Sequence, residues 1–564
     1  PEGDPIAHAA QLLLAGGIIA LKGLGGFHLA CDATNEQAVA TLRARKRRYG
    51  KPFALMAGAS QDAEALIEVT EETKALLNSR ERPIVVARAR DHALAPSLAL
   101  GLDTLGVMLP YTPLHHLLLQ LTDRPLVMTS GNLSEEPIAT GNEEAITRLS
   151  AIADAFLLHN RDIHARYDDS VVRVTGAGPV QLRRARSMAP APISLPFVAR
   201  ADILATGPQQ KNTFALIKGS QAFLSQHIGD LDNLETADAY SDTLELYMRL
   251  FKVVPRVVAH DLHPDYHTTA FARTYDIPGI VRVGVQHHHA HIVSCMAEHG
   301  INEPVIGFAY DGTGYGTDGA IWGCEALVST WRGFERAAHL RYVPLIGGEA
   351  AVRDPMRVLA SWIWSMPPDG QDVFADLLAQ IDATELRVWR TQFESGLNAP
   401  PTSSCGRLFD AVAVLLGIRS RAVYEGQPAV ELEAIADAQT TDCYDFDLAR
   451  SESGWLIDPT ATLIAIARDQ QRGRAVPEIA AAFHNTVANW TVQVAQCIRE
   501  AKYLSRVCLS GGCYQNALLL TRTVSGLRSA GFEVFVQQAV PCNDGGLSLG
   551  QAVVAWALTE PLRT

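Results

Sequence analysis

Long apolar runs are missing from this 564-residue sequence, and so are closely paired cysteines. No apolar stretch reaches the ~18 residues that a membrane-spanning helix needs, so we expect no membrane partner. The nine cysteines form no CxxC pair, which favours free thiols in a reducing cytoplasm over a disulfide framework. The chain starts at Pro1 without a methionine or a signal-peptide pattern, so we expect it to be part of a longer cytoplasmic protein.

Positive charge is scarce as well, with 48 Lys and Arg against 61 Asp and Glu. Residues 1–190 hold 20 basic and 21 acidic side chains, and the remainder holds 28 and 40. Because affinity for nucleic acid rests on clustered positive charge, we expect no nucleic-acid partner. The length of the chain predicts two to four domains.

Apolar strands alternate with helical patterns along the chain, which predicts an α/β fold in two parts. The segment Met188–Pro196 carries three prolines, which is typical of a linker. We therefore predict a first domain at 1–190, a linker at 191–200 and a second domain at 201–564. Within the second domain, 352–483 is rich in Ala, Leu and Arg and predicts a helical insertion.

The first domain concentrates basic residues between Arg43 and Arg48, where five of six residues are cationic. Arg and Lys are natural partners of phosphate oxygens, so Lys46, Arg48 and Lys51 are candidate ligands of a triphosphate. The alternative is a solvated basic helix end that interacts with its own dipole. Small polar groups at strand ends, where α/β folds place ligand contacts, add the candidates Ser130, Asn132 and Ser170.

The second domain contains a cluster of four histidines, of which only His287 and His291 are four residues apart. Helical geometry places that pair on one face. A short apolar strand follows, and then Asp311 opens a glycine turn of a kind suited to phosphates. This pattern favours metal-assisted chemistry on a nucleotide. The alternative is an ordinary run of surface histidines at a helix start.

The first-domain motifs resemble the YrdC/Sua-type enzymes that make threonylcarbamoyl-adenylate. The match rests on Lys46–Pro52, the Ser130/Asn132 turn and the stretch 169–172. The resemblance implies that Lys46, Arg48 and Lys51 hold ATP together with the Ser/Asn turns. Where those enzymes have Thr-Val-Tyr-Gly-Leu, residues 25–29 read Gly-Gly-Phe-His-Leu. Loss of the threonine hydroxyl implies an acyl donor smaller than one derived from L-threonine.

Most of 200–564 resembles the actin-like (ASKHA) carbamoyl- and threonylcarbamoyl-transferases, which implies a two-lobed α/β domain. The match rests on four elements in order: the His287/His291 helix, the Asp311 turn, Gly406–Asp410 continuing through Tyr424–Pro428, and Leu509–Asn516 followed by Cys542–Asp544. It implies that His287, His291, Asp311 and Asp544 form a mixed N/O site for one divalent transition metal, Fe or Zn. The residues that it implies for nucleotide binding are Gly312, Gly314, Asp410, Gly426, Ser510, Gly511, Gly512 and Asn516.

The order of the two parts resembles the hydrogenase-maturation carbamoyltransferases of the HypF family. The resemblance implies an enzyme that uses ATP with Mg to activate carbamate, derived from carbamoyl phosphate, as carbamoyl-adenylate. It implies transfer of the carbamoyl group to a cysteine of the partner HypE, whose thiocarbamate becomes the cyanide ligand of nickel–iron hydrogenase. Members of that family also carry N-terminal acylphosphatase and zinc-finger parts, which we expect to have been removed here.

Two alternatives stay open at this point. A fused tRNA threonylcarbamoyl-adenylate synthase and transferase would contain both domain types, although the acidic second domain and the altered segment 25–29 argue against it. A nucleotide-binding scaffold that has lost catalysis would hold ATP and metal without producing AMP.

Overall fold

Three β-sheets follow one another along the chain in the computed structural model, which describes residues 3–90, 93–134, 136–275, 277–452 and 454–560. Helices alternate with the strands, so the α/β class predicted from the sequence is confirmed. Among those residues, none of the helices has both the length and the apolar character needed to cross a membrane.

The first sheet is built from β1 (Ile19–Lys22), β2 (Phe27–Asp32), β3 (Ala54–Met56), β4 (Ile84–Arg88), β5 (Thr104–Met108), β6 (Leu126–Ser130), β7 (Ala155–Leu157), β8 (Val171–Thr175) and β9 (Gly178–Arg183). The strands lie in the order β7-β1-β2-β6-β3-β5-β4-β8-β9. The helices are α1 (Pro5–Leu14), α2 (Glu36–Arg45), α3 (Ser60–Leu66), α4 (Glu71–Asn78), α5 (Pro113–Thr122) and α6 (Asn142–Leu149). Both faces are covered: Leu29 packs in a core with α2, whereas its neighbour Ala30 packs in a second core with α1 and α5.

The second sheet contains β10 (Ile193–Ser194), β11 (Ile203–Ala205), β12 (Ala215–Lys218), β13 (Gln221–Leu224), β14 (Val257–Asp261) and β15 (Val281–Val285), in the order β10-β13-β12-β11-β14-β15. Its helices are α7 (Leu234–Phe251), α8 (His267–Thr274) and α9 (His287–Glu298). The segment 191–200, predicted as a linker, contributes the edge strand β10. The division into domains stays a prediction.

The third sheet contains β16 (Val305–Tyr315), β17 (Ile321–Ser329), β18 (Phe334–Leu340), β19 (Val343–Pro344), β20 (Pro401–Thr402), β21 (Asp447–Ser451), β22 (Gly454–Asp458), β23 (Arg506–Ser510) and β24 (Glu533–Val536). The main path is β21-β22-β18-β17-β16-β23-β24, and β20 pairs with β17 and β19. Strands β16 and β23 are parallel, with Ala309 opposite Ser510. The glycines that follow Ser510 therefore lie beside Tyr310 and Asp311 of β16.

The helices of this part are α10 (Ala350–Arg353), α11 (Met356–Trp364), α12 (Pro368–Gln371), α13 (Ala375–Leu378), α14 (Ala383–Ser395), α15 (Cys405–Leu415), α16 (Gln427–Ile435), α17 (Thr460–Gln471), α18 (Val476–Lys502), α19 (Ala517–Ser529) and α20 (Leu547–Thr559). The segment 352–483 is mostly helical, as predicted, but it also contains β20, β21 and β22. Helices α9 and α20 share one apolar core with strands of both the second and the third sheet. That core packs α9 against β16.

The first domain docks on the second through β8, β9 and the turn between them. Arg173 in β8 forms an ion pair with Glu433 in α16 at 2.8 Å. The backbone N–H of Gly176 donates to the hydroxyl of Thr521 in α19 at 3.1 Å. Val180 is buried in the core of the third sheet. Apolar and polar contacts therefore join the two parts.

Candidate functional site

The start of α9 carries the histidine pair singled out by the sequence. Gln286 caps the helix, because its side-chain oxygen accepts the backbone N–H of His289 at 2.8 Å. His287 and His291 both point inward, with 1% and 0% of their surface exposed. Deep burial rules out the surface-histidine alternative for this pair.

Two carboxylates converge on the two imidazoles. His291 Nε2 lies 3.1 Å from Asp311 Oδ2 and 3.6 Å from Asp544 Oδ1, and His287 Nε2 lies 3.5 and 3.6 Å from the same two oxygens. One ligand atom of each residue lies within 4.8 Å of all the others. Across the described ranges, His287 Nε2 has no hydrogen-bond partner although it is buried. Two nitrogens and two oxygens are a donor set that fits a divalent transition metal.

Asp261, at the end of β14, holds the ring of His287 from behind. Its Oδ2 lies 2.8 Å from His287 Nδ1, and both side chains are almost completely buried. A carboxylate behind a metal-binding histidine fixes the ring orientation and leaves Nε2 free to coordinate. Asp261 is not among the site residues predicted from the sequence. The run His260-Asp261-Leu262-His263 was the sequence signal for this residue. Asp261 is the last residue of β14, and β15 lies between β14 and α9 in the chain.

The charges in this cluster depend on one another. Burial alone would lower the pKa of His287, but the carboxylates of Asp544 and Asp261 raise it well above its usual value. Burial opposes ionisation of Asp544, yet the neighbouring His287 lowers its pKa to about 2. Burial alone would raise the pKa of Asp311, but the two neighbouring histidines keep it well below its usual value. The carboxylates are therefore ready to bind a cation, which would compete with the histidine protons.

The glycines beside this cluster donate their backbone N–H groups to acceptors within the chain. Asp311 Oδ1 accepts the backbone N–H of Gly312 at 2.8 Å and that of Gly512 at 3.2 Å. Gly511, with φ of +98°, donates its N–H to the carbonyl of Cys542. The N–H groups of Gly511 and Gly512 thus have partners within the chain. Contact of these two glycines with a nucleotide stays a prediction.

Two further residues predicted to bind a nucleotide, Gly314 and Ser510, lie next to the histidine pair. A Cβ on Gly314 would lie 2.8 Å from the His287 ring, so that position has room for glycine alone. The hydroxyl of Ser510 donates to Gln537 Oε1 at 2.7 Å and lies 3.4 Å from His291 Nδ1. Gly314 thus lies close to the first histidine of the pair, and Ser510 lies beside the second.

The remaining predicted nucleotide residues lie around α15, α16 and α19. Asp410 pairs with Arg407 at 2.9 Å; burial raises the pKa of this carboxyl to about 6, and the arginine offsets it only partly. Gly426 adopts φ of +75° at the start of α16, next to Glu425, which binds Lys211 at 3.0 Å. Asn516 caps α19 by accepting from Leu519 N–H at 2.9 Å. Their contacts with a nucleotide stay a prediction.

In the first domain, Lys46 is almost completely buried at the end of α2. Its Nζ donates to the carbonyls of Ser130 and Asn132 at 2.7 and 2.6 Å and to Asn132 Oδ1 at 2.7 Å. Burial lowers the pKa of Lys46 to about 7. Three oxygen acceptors match the three N–H donors of an ammonium, which favours the charged form. The structure brings these three predicted residues together.

The other predicted residues of this domain occupy different surroundings. Arg48 donates to the carbonyl of Pro52 at 2.9 Å, and Lys51 is exposed beside it. Ser170 is completely buried, where its hydroxyl donates to the carbonyl of Arg186 at 3.0 Å and accepts Ala185 N–H at 2.9 Å. Ser170 thus ties two chain segments together, and its assignment to ATP stays a prediction.

Comparison with known proteins matches three family models to successive parts of the chain. They are "Telomere recombination", the Sua5/YciO/YrdC model, at 11–185, "HypF Kae1-like domain" at 199–298, and "Carbamoyltransferase, Kae1-like Domain, second subdomain" at 307–551. The sequence is 44% identical over 570 residues to carbamoyltransferase HypF of Rhodobacter capsulatus, covering 99% of this chain and 74% of that protein.

Two solved structures are similar over nearly the whole chain. A crystal structure of full-length HypF in the phosphate- and nucleotide-bound form is 47% identical with a TM-score of 0.97, covering 100% of this chain and 73% of that one. T. kodakarensis HypF is 35% identical with a TM-score of 0.90, covering 98% and 74%. The expected combination of a YrdC-like with an actin-like domain is confirmed. The chain belongs to the HypF family of carbamoyltransferases.

Proposed function

We propose that the first domain activates carbamate with ATP as carbamoyl-adenylate and that the second domain transfers the carbamoyl group to a cysteine of HypE. The observation that carries the proposal is the convergence of His287, His291, Asp311 and Asp544 on one point in a member of a carbamoyltransferase family. Membership of this family is consistent with a role in hydrogenase maturation.

In the first step, an oxygen of carbamate attacks the α-phosphorus of ATP, which binds with Mg. The bond from that phosphorus to its bridging oxygen breaks, and pyrophosphate leaves. This exchange needs no proton transfer, so Lys46, Arg48 and Lys51 act through charge and position. Positive groups held in place before the reaction stabilise the charge that moves onto the departing phosphates.

In the second step, the thiolate of the acceptor attacks the carbonyl carbon of carbamoyl-adenylate. The bond from that carbon to the phosphate oxygen breaks, and AMP leaves as the thiocarbamate forms. His287, His291, Asp311 and Asp544 would hold one divalent transition metal, Fe or Zn, which supplies Lewis-acid polarisation when bound. Asp261 holds the His287 ring, and Asp410 and Gly426 would lie toward the sugar of the nucleotide.

The proposal is tested by following AMP and the acceptor together. The chain is incubated with ATP, Mg and HypE, and either carbamoyl phosphate or ammonium bicarbonate as a source of carbamate. We expect AMP and a carbamoyl adduct on a HypE cysteine by mass spectrometry. Stimulation of AMP formation by threonine instead would favour the tRNA-modifying alternative.

Lys46→Ala with Arg48→Ala tests the first site in the same assay. We expect carbamate-dependent AMP formation to fall by about two to three orders of magnitude, as for loss of preorganised charge. Arg47→Gln is the matched control, because Arg47 is an exposed cation of the same cluster. Undiminished AMP formation in the double variant would rule out this assignment.

A further inference from the structure

Two adjacent strands of the first domain, β8 and β9, contact the second domain beside its predicted nucleotide-binding residues. Arg173 of β8 faces Glu433 of α16 through two parallel contacts: Nη2 lies 2.8 Å from Oε1, and Nη1 donates to Oε2 at 3.0 Å. The two side chains are 18% and 9% exposed. A guanidinium and a carboxylate joined in this way are fixed in orientation as well as in distance, so the first domain sets the position of Glu433.

The carboxylate of Glu433 in turn holds the start of α19. Its Oε1 accepts the backbone N–H of Ala517, the first residue of that helix, at 2.8 Å. Nη1 of Arg173 also donates to the carbonyl of Gln515 at 3.3 Å. The backbone on both sides of Asn516 is therefore bound by one ion pair, half of which belongs to the first domain.

The side chain of Asn516 has one orientation in this turn. Its Oδ1 accepts the N–H of Leu519 at 2.9 Å, so Nδ2 carries the two N–H donors. The ring of His484 donates from Nδ1 to the carbonyl of Ala480 at 2.7 Å, which leaves Nε2 as the acceptor for Asn516 Nδ2 at 2.9 Å. Asn516 is half-buried, and no other group in the described part of the chain accepts from Nδ2, so its second N–H is available to a ligand.

The neighbouring strand β9 makes a second contact of this kind. The carbonyl of Leu182 accepts from Asn543 Nδ2 at 3.1 Å, and the same nitrogen donates to Gln515 Oε1 at 2.8 Å. Asn543 directly precedes Asp544, one of the four candidate metal ligands. The two strands of the first domain thus reach both the turn at Asn516 and the segment that carries Asp544.

The same interface contains a contact that reaches neither segment. The backbone N–H of Gly176, in the turn between β8 and β9, donates to the hydroxyl of Thr521 at 3.1 Å. Thr521 lies about one helical turn beyond Ala517 in α19. The chain therefore offers two kinds of interdomain contact, of which one holds the predicted nucleotide-binding turn and the other only attaches the domains to each other.

Resting on the proposed function, we propose that Arg173 is a positioning residue for carbamoyl transfer: through Glu433 it holds the turn at Asn516 that binds the nucleotide of carbamoyl-adenylate. The transfer site is thus built by both domains. Without Arg173 the buried Glu433 carboxylate has no counter-charge, which is unfavourable, so the carboxylate moves and the turn moves with it. The displaced intermediate then meets the acceptor thiolate less often, and more of it is hydrolysed by water.

The test compares the two steps in the same protein. ATP–pyrophosphate exchange driven by carbamate measures the first step. The amount of carbamoyl adduct on HypE per AMP released measures transfer against hydrolysis of the intermediate. We expect Arg173→Ala to lower this ratio by about 10- to 100-fold, as for a small misplacement of a reactant. Exchange should change less than about twofold, although the substituted residue belongs to the first domain.

Variants of Glu433 show whether Arg173 acts through it. Glu433→Ala should lower the ratio as much as Arg173→Ala does, and the double variant should be no worse than either, because both interrupt one series of contacts. Glu433→Gln should retain most of the transfer, since its amide oxygen still accepts the N–H of Ala517. Thr521→Val, which removes only the contact with Gly176, is the matched control and should leave both steps unchanged.

The outcomes separate this inference from the proposed function. An unchanged ratio in Arg173→Ala overturns the inference and leaves carbamoyl transfer standing, whereas absence of any adduct with the unmodified chain overturns both. An equal loss of exchange, or an equal fall of the ratio in Thr521→Val, means loss of docking alone and overturns the positioning role.

The path through Glu433 has its own tests. Additive losses in the double variant overturn it, as does a Glu433→Gln variant that is as poor as Glu433→Ala. If Arg173→Ala does not fold, Arg173→Lys decides, because lysine keeps the charge but cannot make the two parallel contacts. A ratio for Arg173→Lys below that of the unmodified chain supports the inference, and an equal ratio overturns it.

Discussion

The two candidate sites of this chain differ in how their polar atoms are satisfied. In the first domain, the Lys46 ammonium donates to three oxygens of its own chain. In the second domain, His287 Nε2 has no hydrogen bond among the described residues and faces two carboxylates at 3.5 and 3.6 Å. The first arrangement is complete without a ligand, whereas the second is complete only with a cation or with extra protons.

This difference indicates how each site binds. A lysine whose three donors are occupied positions the turn at Ser130 and Asn132, so ligand contacts there fall to the turn and to exposed cations such as Lys51. The buried carboxylates of Asp311 and Asp544 lie close enough to repel each other, and a bound cation removes that repulsion. We therefore expect a bound metal to stabilise the residues of the second site, whereas the Lys46 cluster of the first site is stable without a ligand.

Loss of the histidine pair should have the largest effect on metal binding and on carbamoyl transfer. His287→Ala with His291→Ala removes both nitrogen ligands, so we expect zinc binding measured by calorimetry to vanish and transfer to HypE to fall by about 10³-fold or more. Carbamate-dependent AMP formation in the first domain should persist. His267→Ala, at an exposed histidine, is the control. Transfer that survives in the double variant would contradict the metal assignment.

Replacing the carboxylate behind His287 should weaken metal binding at the second site without abolishing it. Asp261→Asn keeps the shape but weakens the hold on Nδ1, so we expect affinity for zinc to fall about 10- to 100-fold without loss of the site. Competition with a chelator of known affinity measures this change. Asp265→Asn, an exposed carboxylate on the following loop, should leave affinity unchanged. Equal affinities in the two variants would show that Asp261 does not orient the ring.

The smallest expected effect concerns Asp410. Burial raises its pKa to about 6, so the folded chain binds this proton more tightly than the unfolded chain does. The stability that protonation contributes is present at low pH and is lost as pH rises through 6. Asp410→Asn lacks this titration, so its free energy of unfolding should improve relative to the unmodified chain by up to about 3 kcal/mol between pH 4 and 7.

Thermal melting at pH 5, 6 and 7.5 measures the Asp410 effect. Asp376→Asn is the control, because this carboxylate is exposed on α13. The difference in melting temperature between Asp410→Asn and the unmodified chain should change across that range, while the control difference stays flat. A flat difference for Asp410→Asn would mean that the carboxylate is paired well enough to remain ionised throughout.

Much of the second site was predictable because its signals are local. The four-residue spacing of His287 and His291 places both rings on one helical face, whatever the helix packs against. Asp311 was expected to open a glycine turn after a buried strand, but it lies within β16, where the pairing with β17 is irregular between Tyr310 and Gly314. The link to Asp544 came from resemblance to a family and not from spacing along the chain.

Contacts between distant segments were not predictable in this way. The pairing of Asp261 with His287 depends on how β14, β15 and α9 pack, and the sequence does not specify that packing locally. The Gly512 N–H donates to Asp311 because the parallel register of β16 with β23 brings the two together.

The sequence by itself determined the α/β class, the helical face of the histidine pair and the basic cluster of the first domain, because each depends on short-range periodicity or composition. Tertiary structure alone decided which polar atoms have hydrogen-bond partners: the Lys46 ammonium has three oxygens, and His287 has a partner on only one of its two ring nitrogens. The physical reason is that a hydrogen bond requires two groups within about 3 Å. For these residues, the partners are supplied by strands and turns whose register only the folded chain fixes.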